Sequence, residues 1–204
     1  MAEDLSTAEL FVRKAIEAYE TTGNENILGY KIAYSNLGQI LYEKGQFDAA
    51  LDVLMNSKRL GVDLLKRGQY SGAAFDTVLI GEIYEARGDD ESANRAYHEA
   101  LRIIATLGNP GFSTNNGASP TNHIWPPLVK LAKYYNQQGE IDYSIFLLKI
   151  AINYIQKDRG FLSKVFTSAS IDIAHEKSHY KQLIEMLIDK GRITEAMEIL
   201  RMLK

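Results

Sequence analysis

The sequence predicts an all-α fold, a row of antiparallel helix pairs, on three observations. Its 4 prolines are confined to one zone, Pro110, Pro120, Pro126 and Pro127, so the chain on either side is free to run as helix. Outside that zone apolar residues recur at helical spacing between short turns, and the alternating, β-branched signature of strands is missing. The chain also aligns with itself: "YSNLGQILYEKGQFDAALDVLMNS" from Tyr34, "TVLIGEIYEARGDDESANRAYHEA" from Thr77, "LVKLAKYYNQQGEIDYSIFLLKIA" from Leu128 and "YKQLIEMLIDKGRITEAMEILRML" from Tyr180 share one pattern.

Taken in order, residues 5–23 supply half a unit, because Ala8, Val12 and Ala15 form the stripe of a second helix with no first helix before it. The repeat at about 31–67 places Leu37-Gly38 and Leu41 on its first helix, Gly45 in the turn, and Ala50, Leu54 and Ser57 on the second. "KRLGVDLLKRGQYSG" extends that second helix by two turns, with Gly61 weakening it locally. The repeat at about 74–107 repeats the scheme with Ile80-Gly81, Tyr84, Gly88, Ala93, Tyr97 and Ala100, and Asp89-Asp90 stand at a helix start, where negative charge meets the helix dipole. Residues 108–123, rich in Gly, Pro, Asn and Ser, read as an exposed loop. Trp125, before Pro126-Pro127, reads either as a ligand platform or, as is more common for such a residue, as an anchor of that loop to the first turn of the next helix.

The third repeat, about 125–157, carries Leu131-Ala132, Tyr135, Gly139, Ser144, Leu148 and Ala151, and continues as helix with an expected break near Gly160. The fourth, about 177–204, has the bulkier Leu183-Ile184 where the others have an apolar residue followed by a small one, then Leu187, Gly191, Ala196, Leu200 and Leu203. Its last helix presents Ile193, Met197 and Leu200 on an apolar stripe with no polar cap after it, which makes that stripe an expected docking face. The whole, 1–204, reads as a single array.

This pattern resembles the tetratricopeptide repeat, a helix-turn-helix unit, over nearly the whole chain. The small residues sit where two helices of a hairpin approach closely, and the turn glycines supply positive φ where each first helix ends. Turn glycines recur at 43, 51 and 52 residues, above the roughly 34 of the standard unit, so the helices are elongated and loops are inserted. The resemblance implies an α-solenoid with a groove lined by first helices, here Ser35, Gln39, Tyr42, Val78, Glu82, Glu85, Val129, Lys133, Asn136, Lys181 and Glu185. It further implies a protein or peptide ligand. Repeats that hold acidic chaperone tails use a clamp of Lys, Arg and Asn; Ser35, Gln39 and Pro126 stand at those places here, so such tails are not expected to bind.

The closing segment is more specific. Tyr180, Leu183, Leu187, Gly191, Arg192, Glu195, Ala196, Leu200, Leu203 and Lys204 resemble the end of the repeat region in bacterial CHAT-domain proteins, where repeats precede a caspase-like domain. That resemblance implies a recognition or regulatory arm with a CHAT domain following it. The His-Cys dyad of that domain has no counterpart in this chain, which has no cysteine.

Composition and motifs narrow the function classes. A net charge of -3 gives no drive toward nucleic acid or anionic membranes, and the absence of cysteine removes disulfides, thiol nucleophiles and Cys-based zinc sites. The N-terminus "MAEDLSTAEL" lacks the pattern of a secretory signal and "IFLLKIAINYI" is too short to span a bilayer, so a cytoplasmic location is expected. "HEKSH" places His175, Glu176 and His179 at zincin spacing, but no histidine follows; Glu185, Asp189, Glu195 and Glu198 are the remaining third ligands for a zinc-dependent hydrolase. A solvated helix start accounts for the same residues. The expectation is therefore a non-enzymatic scaffold with no cofactor and no metal; the alternatives are a stand-alone adaptor that forms homo-oligomers through its uncapped ends, and the zinc hydrolase.

Overall fold

One turn, used four times, sets the architecture. In the first repeat the amide of Gly45 donates to the carbonyl of Tyr42 (2.9 Å) and that of Gln46 to Leu41 (2.9 Å), with Gly45 at φ 72°. Gly88, Gly139 and Gly191 repeat the arrangement, each followed by an amide that reaches back to a carbonyl of the helix just ended. A side chain at positive φ is strained, so glycine is what allows the first helix to stop and the second to fold back.

The computed structural model describes the backbone of residues 2–21, 27–66, 72–107, 124–165 and 173–203, and the side chains of 4–21, 27–66, 72–106, 124–157 and 177–203. Among the described residues the chain is helical apart from its turns, with no strand. The helices gather into two compact units, Met1–Pro120 and Thr121–Lys204, where the sequence reads as one array. The loop expected at 108–123 lies outside the described residues.

The first unit holds α1 (Ala2–Thr21), α2 (Ile27–Glu43), α3 (Phe47–Lys66), α4 (Ala73–Ala86) and α5 (Asp90–Leu107), each packed on the next along the chain, with α2 also touching α4. α1 packs on α2. Close approach within hairpins depends on Gly38 and Gly81: a Cβ at Gly38 would stand 2.5 Å from the Leu54 side chain, and one at Gly81 2.5 Å from the Tyr97 ring. Leu54 and Tyr97 are in turn fully buried. Asp89 caps α5, accepting the Ser92 amide at 3.0 Å; the hydrogen bond with the Ser92 side chain first, and that amide second, hold its carboxyl below the ordinary range.

The second unit holds α6 (Trp125–Gln137), α7 (Ile141–Val165), α8 (Ile173–Asp189) and α9 (Ile193–Met202), again in nearest-neighbour packing. Pro126 and Pro127 occupy the first turn of α6, where their missing amide hydrogens cost nothing. Ser144 fills the small-residue position by donating its hydroxyl to the Ala132 carbonyl at 2.7 Å, so a polar atom replaces a methyl without being stranded. The break expected near Gly160 does not occur. α3 runs through Gly61 and α7 through Gly160, because a lone helical glycine costs only about 1 kcal/mol against the hydrogen bonds and packing of a long helix.

Candidate functional site

Of the groove residues expected in the first unit, four form one partly exposed patch on the first helices α2 and α4. Gln39 donates to Glu43 Oε1 (3.0 Å), and Tyr42 packs on Phe47 with ring centroids 5.9 Å apart. The Tyr42 hydroxyl is pushed up to about 12 by burial, by the charge of Glu82 and by its hydrogen bond to Glu82, with Glu85 and Glu43 adding to the effect. Glu85 also accepts the Tyr97 hydroxyl at 2.8 Å. Three carboxylates around one phenol make this a negative surface whose side chains are already oriented by mutual hydrogen bonds.

The other two expected residues are engaged within the fold. Val78 is fully buried, because α4 is apolar almost all round and spends that position on the core. Ser35 donates its hydroxyl to Asp76 Oδ1. Asp76 is the centre of a buried polar cluster that the sequence reading missed: its Oδ2 stands 2.9 Å from Lys31 Nζ and accepts the Ser57 hydroxyl at 2.8 Å, with Lys31 and Asp76 side chains 3% and 0% exposed. The Ser57 hydroxyl also lies 3.2 Å from the Lys31 carbonyl. The signal that could have found this cluster is a lone acid in "AAFDTVLI", a run otherwise destined for the core.

In the second unit Lys133 is exposed, while Val129 and Asn136 are partly so. Lys181 and Glu185 are exposed and face each other at 3.8 Å. The terminal residues Ile193, Met197 and Leu200 are 53%, 47% and 43% exposed. Behind them an open apolar groove of about 560 Å³ is lined by Lys177, Lys181, Ile184, Glu185, Leu200 and Leu203. α9 is held beside it by Glu195, which takes Arg192 in a two-point contact (2.6 and 2.8 Å) and pairs with Lys149 of α7. Those hydrogen bonds, Arg192 first and Lys149 second, bring the Glu195 carboxyl down to about 2.

The zincin spacing gains no support. The side chains of His175 and Glu176 lie outside the described residues, whereas His179 is buried with its ring 5.8 Å from that of Trp125. Among the described residues no three His, Cys, Asp or Glu side chains gather as a metal site. No described helix is long and apolar enough to cross a membrane.

No protein-family model matches the chain, and no curated protein matches it. Solved structures do. BtubC (BKLC) from P. vanneervenii is similar over 98% of this chain and 72% of its own, with a TM-score of 0.62 and 14% identity. The nearly identical TPR-like repeats of a Podosopora anserina kinesin light chain are similar over 98% of this chain and 85% of theirs, with a TM-score of 0.51 and 15% identity. A point variant of that protein gives 0.52 at 15% identity, covering 84% of its chain. At such identities the likeness establishes the fold: an all-α array of the tetratricopeptide type.

Proposed function

We propose that this chain is a non-catalytic protein-binding scaffold and that the α2/α4 face of its first unit receives a partner segment bearing basic side chains. The observation that carries this reading is the arrangement of Tyr42 among Glu43, Glu82 and Glu85, a preoriented negative surface with an aromatic floor on the first helices, which line the groove in this repeat class. The TPR-like neighbours support a role in protein recognition, and neither face described above brings together a nucleophile, a base and an oxyanion donor. The resemblance of Tyr180 to Lys204 to the segment before CHAT domains supports the finer reading, a recognition or regulatory arm of a larger peptidase-type protein.

Peptide display on the intact chain is the test. Selected sequences are expected to carry Lys or Arg, and their affinity is expected to fall about tenfold or more in Glu82→Lys/Glu85→Lys protein whose helical content is unchanged. Undiminished binding would move the site away from α2 and α4. A Glu82→Gln/Glu85→Gln protein, which keeps hydrogen-bond acceptors for Tyr42 and Tyr97, separates lost charge from lost structure.

A further inference from the structure

The groove between α8 and α9 has counterparts inside the chain that are already covered. α2 and α8 are both 17 residues long, and the next helices begin at matching places, Phe47 and Ile193, so the two hairpins align residue for residue. The lining Lys177, Lys181, Ile184, Glu185, Leu200 and Leu203 then corresponds to Lys31, Ser35, Gly38, Gln39, Leu54 and Ser57. In the first unit α4 covers that face. Its Asp76 takes Lys31, Ser35 and Ser57, while its Leu79, Ile80 and Ile83 join Leu37 and Leu54 in one core.

In the second unit α8 covers the face of α6 and α7, and the residues equivalent to Lys31 and Asp76 are Trp125 and His179, whose rings meet at 5.8 Å. The same position on the covering helix therefore matches what it meets: a carboxylate on an ammonium group, an imidazole on an indole. On the α8/α9 face an exposed ammonium, Lys177, again stands at the Lys31 position, and a second, Lys181, at that of Ser35. Ile184 replaces the small residue that admits close approach, and Leu200 is 43% exposed where its equivalents Leu54, Tyr97 and Leu148 are 0%.

The geometry points to the α8/α9 groove as the docking site for an amphipathic helix of a partner protein, one that lays aliphatic side chains on Ile184 and Leu200 and sets a carboxylate between Lys177 and Lys181. Charge complementarity fixes the partner's chemistry, by the rule that α4 obeys on the equivalent face. A second copy of this chain is a poor occupant, since its helix of that pattern, α4, is buried in its own unit, Asp76 included. The site lies in the second unit and does not depend on the α2/α4 face binding anything.

The probe is a fluorescent 14-residue peptide, the length of α4, that keeps Asp76, Leu79, Ile80 and Ile83 in their α4 register on an Ala/Gln scaffold. Anisotropy with the intact chain is expected to show saturable binding that weakens about tenfold when the peptide carries Asp76→Asn. Lys177→Glu/Lys181→Glu protein is expected to lose the Asp peptide and gain one with Asp76→Lys, and Leu200→Glu to lose both. Absence of binding, or binding indifferent to these changes, overturns the proposal. So does a dimer in light scattering that Leu200→Glu dissociates, which would make a second copy the occupant.

Discussion

Lys31 and Asp76 bear an unequal share of the first unit's stability. Each is nearly fully buried, and together with Ser35 and Ser57 they tie α2, α3 and α4 at one point. Removing one partner leaves a charge in an apolar surround, whereas removing both with apolar groups of similar volume does not. Asp76→Ala is expected to lower the unfolding free energy by about 3–5 kcal/mol, and Lys31→Met/Asp76→Leu to recover most of it, both read by urea denaturation. A double variant as unstable as the single would show that the cluster contributes more than charge compensation. The sequence made Ser57 legible as a stripe position and Ser35 as a groove residue. It did not pair Lys31 with Asp76, because each stands just before the self-aligning stretches that begin at Tyr34 and Thr77, and a buried ion pair leaves no periodic trace.

Helices and turns were the most readable level. Periodicity located the hairpins, and glycine at positive φ located their corners, because both are local consequences of backbone sterics. The continuity of α7 through Gly160 was not legible, since tertiary packing decides whether a weak helical residue becomes a break. The position of α9 depends on a contact that no repeat pattern encodes, Glu195 held by Arg192 and Lys149. Its carboxyl falls from the usual 4.5 to about 2 in the folded chain. The folded state thus binds this proton less readily than the unfolded state, and the stabilisation is present in full above about 4.5 and lost as pH falls toward about 2. Unfolding midpoints of the wild type and Glu195→Gln, compared from neutral pH down to pH about 2, are expected to differ by a constant amount until the acid range and then to converge. A gap that persists at the acid end would mean the contact works through packing rather than charge.

The division of the helices into two units was not readable beforehand, because repeat patterns report nearest neighbours and carry no information on where a row of them is partitioned. The recognition-arm proposal is tested at the scale of the gene product. On that proposal the intact mass in source cells exceeds the 22.9 kDa of this chain, with a His-Cys protease-like domain after Lys204; a mass of 22.9 kDa would leave a stand-alone adaptor. Finally, the residue pair that joins a hairpin to the helix covering it is ionic in one unit, Lys31 with Asp76, and aromatic in the other, Trp125 with His179. The hairpins are alike in outline yet cannot be shuffled. Splicing α6 behind α3 would bring Pro127 to the place of Asp76 and entomb a lysine without its counterion, and splicing α8 there would offer it an imidazole. Duplication and exchange of parts, the usual route by which repeat proteins lengthen and diversify, is closed at this junction unless both members of the pair travel together.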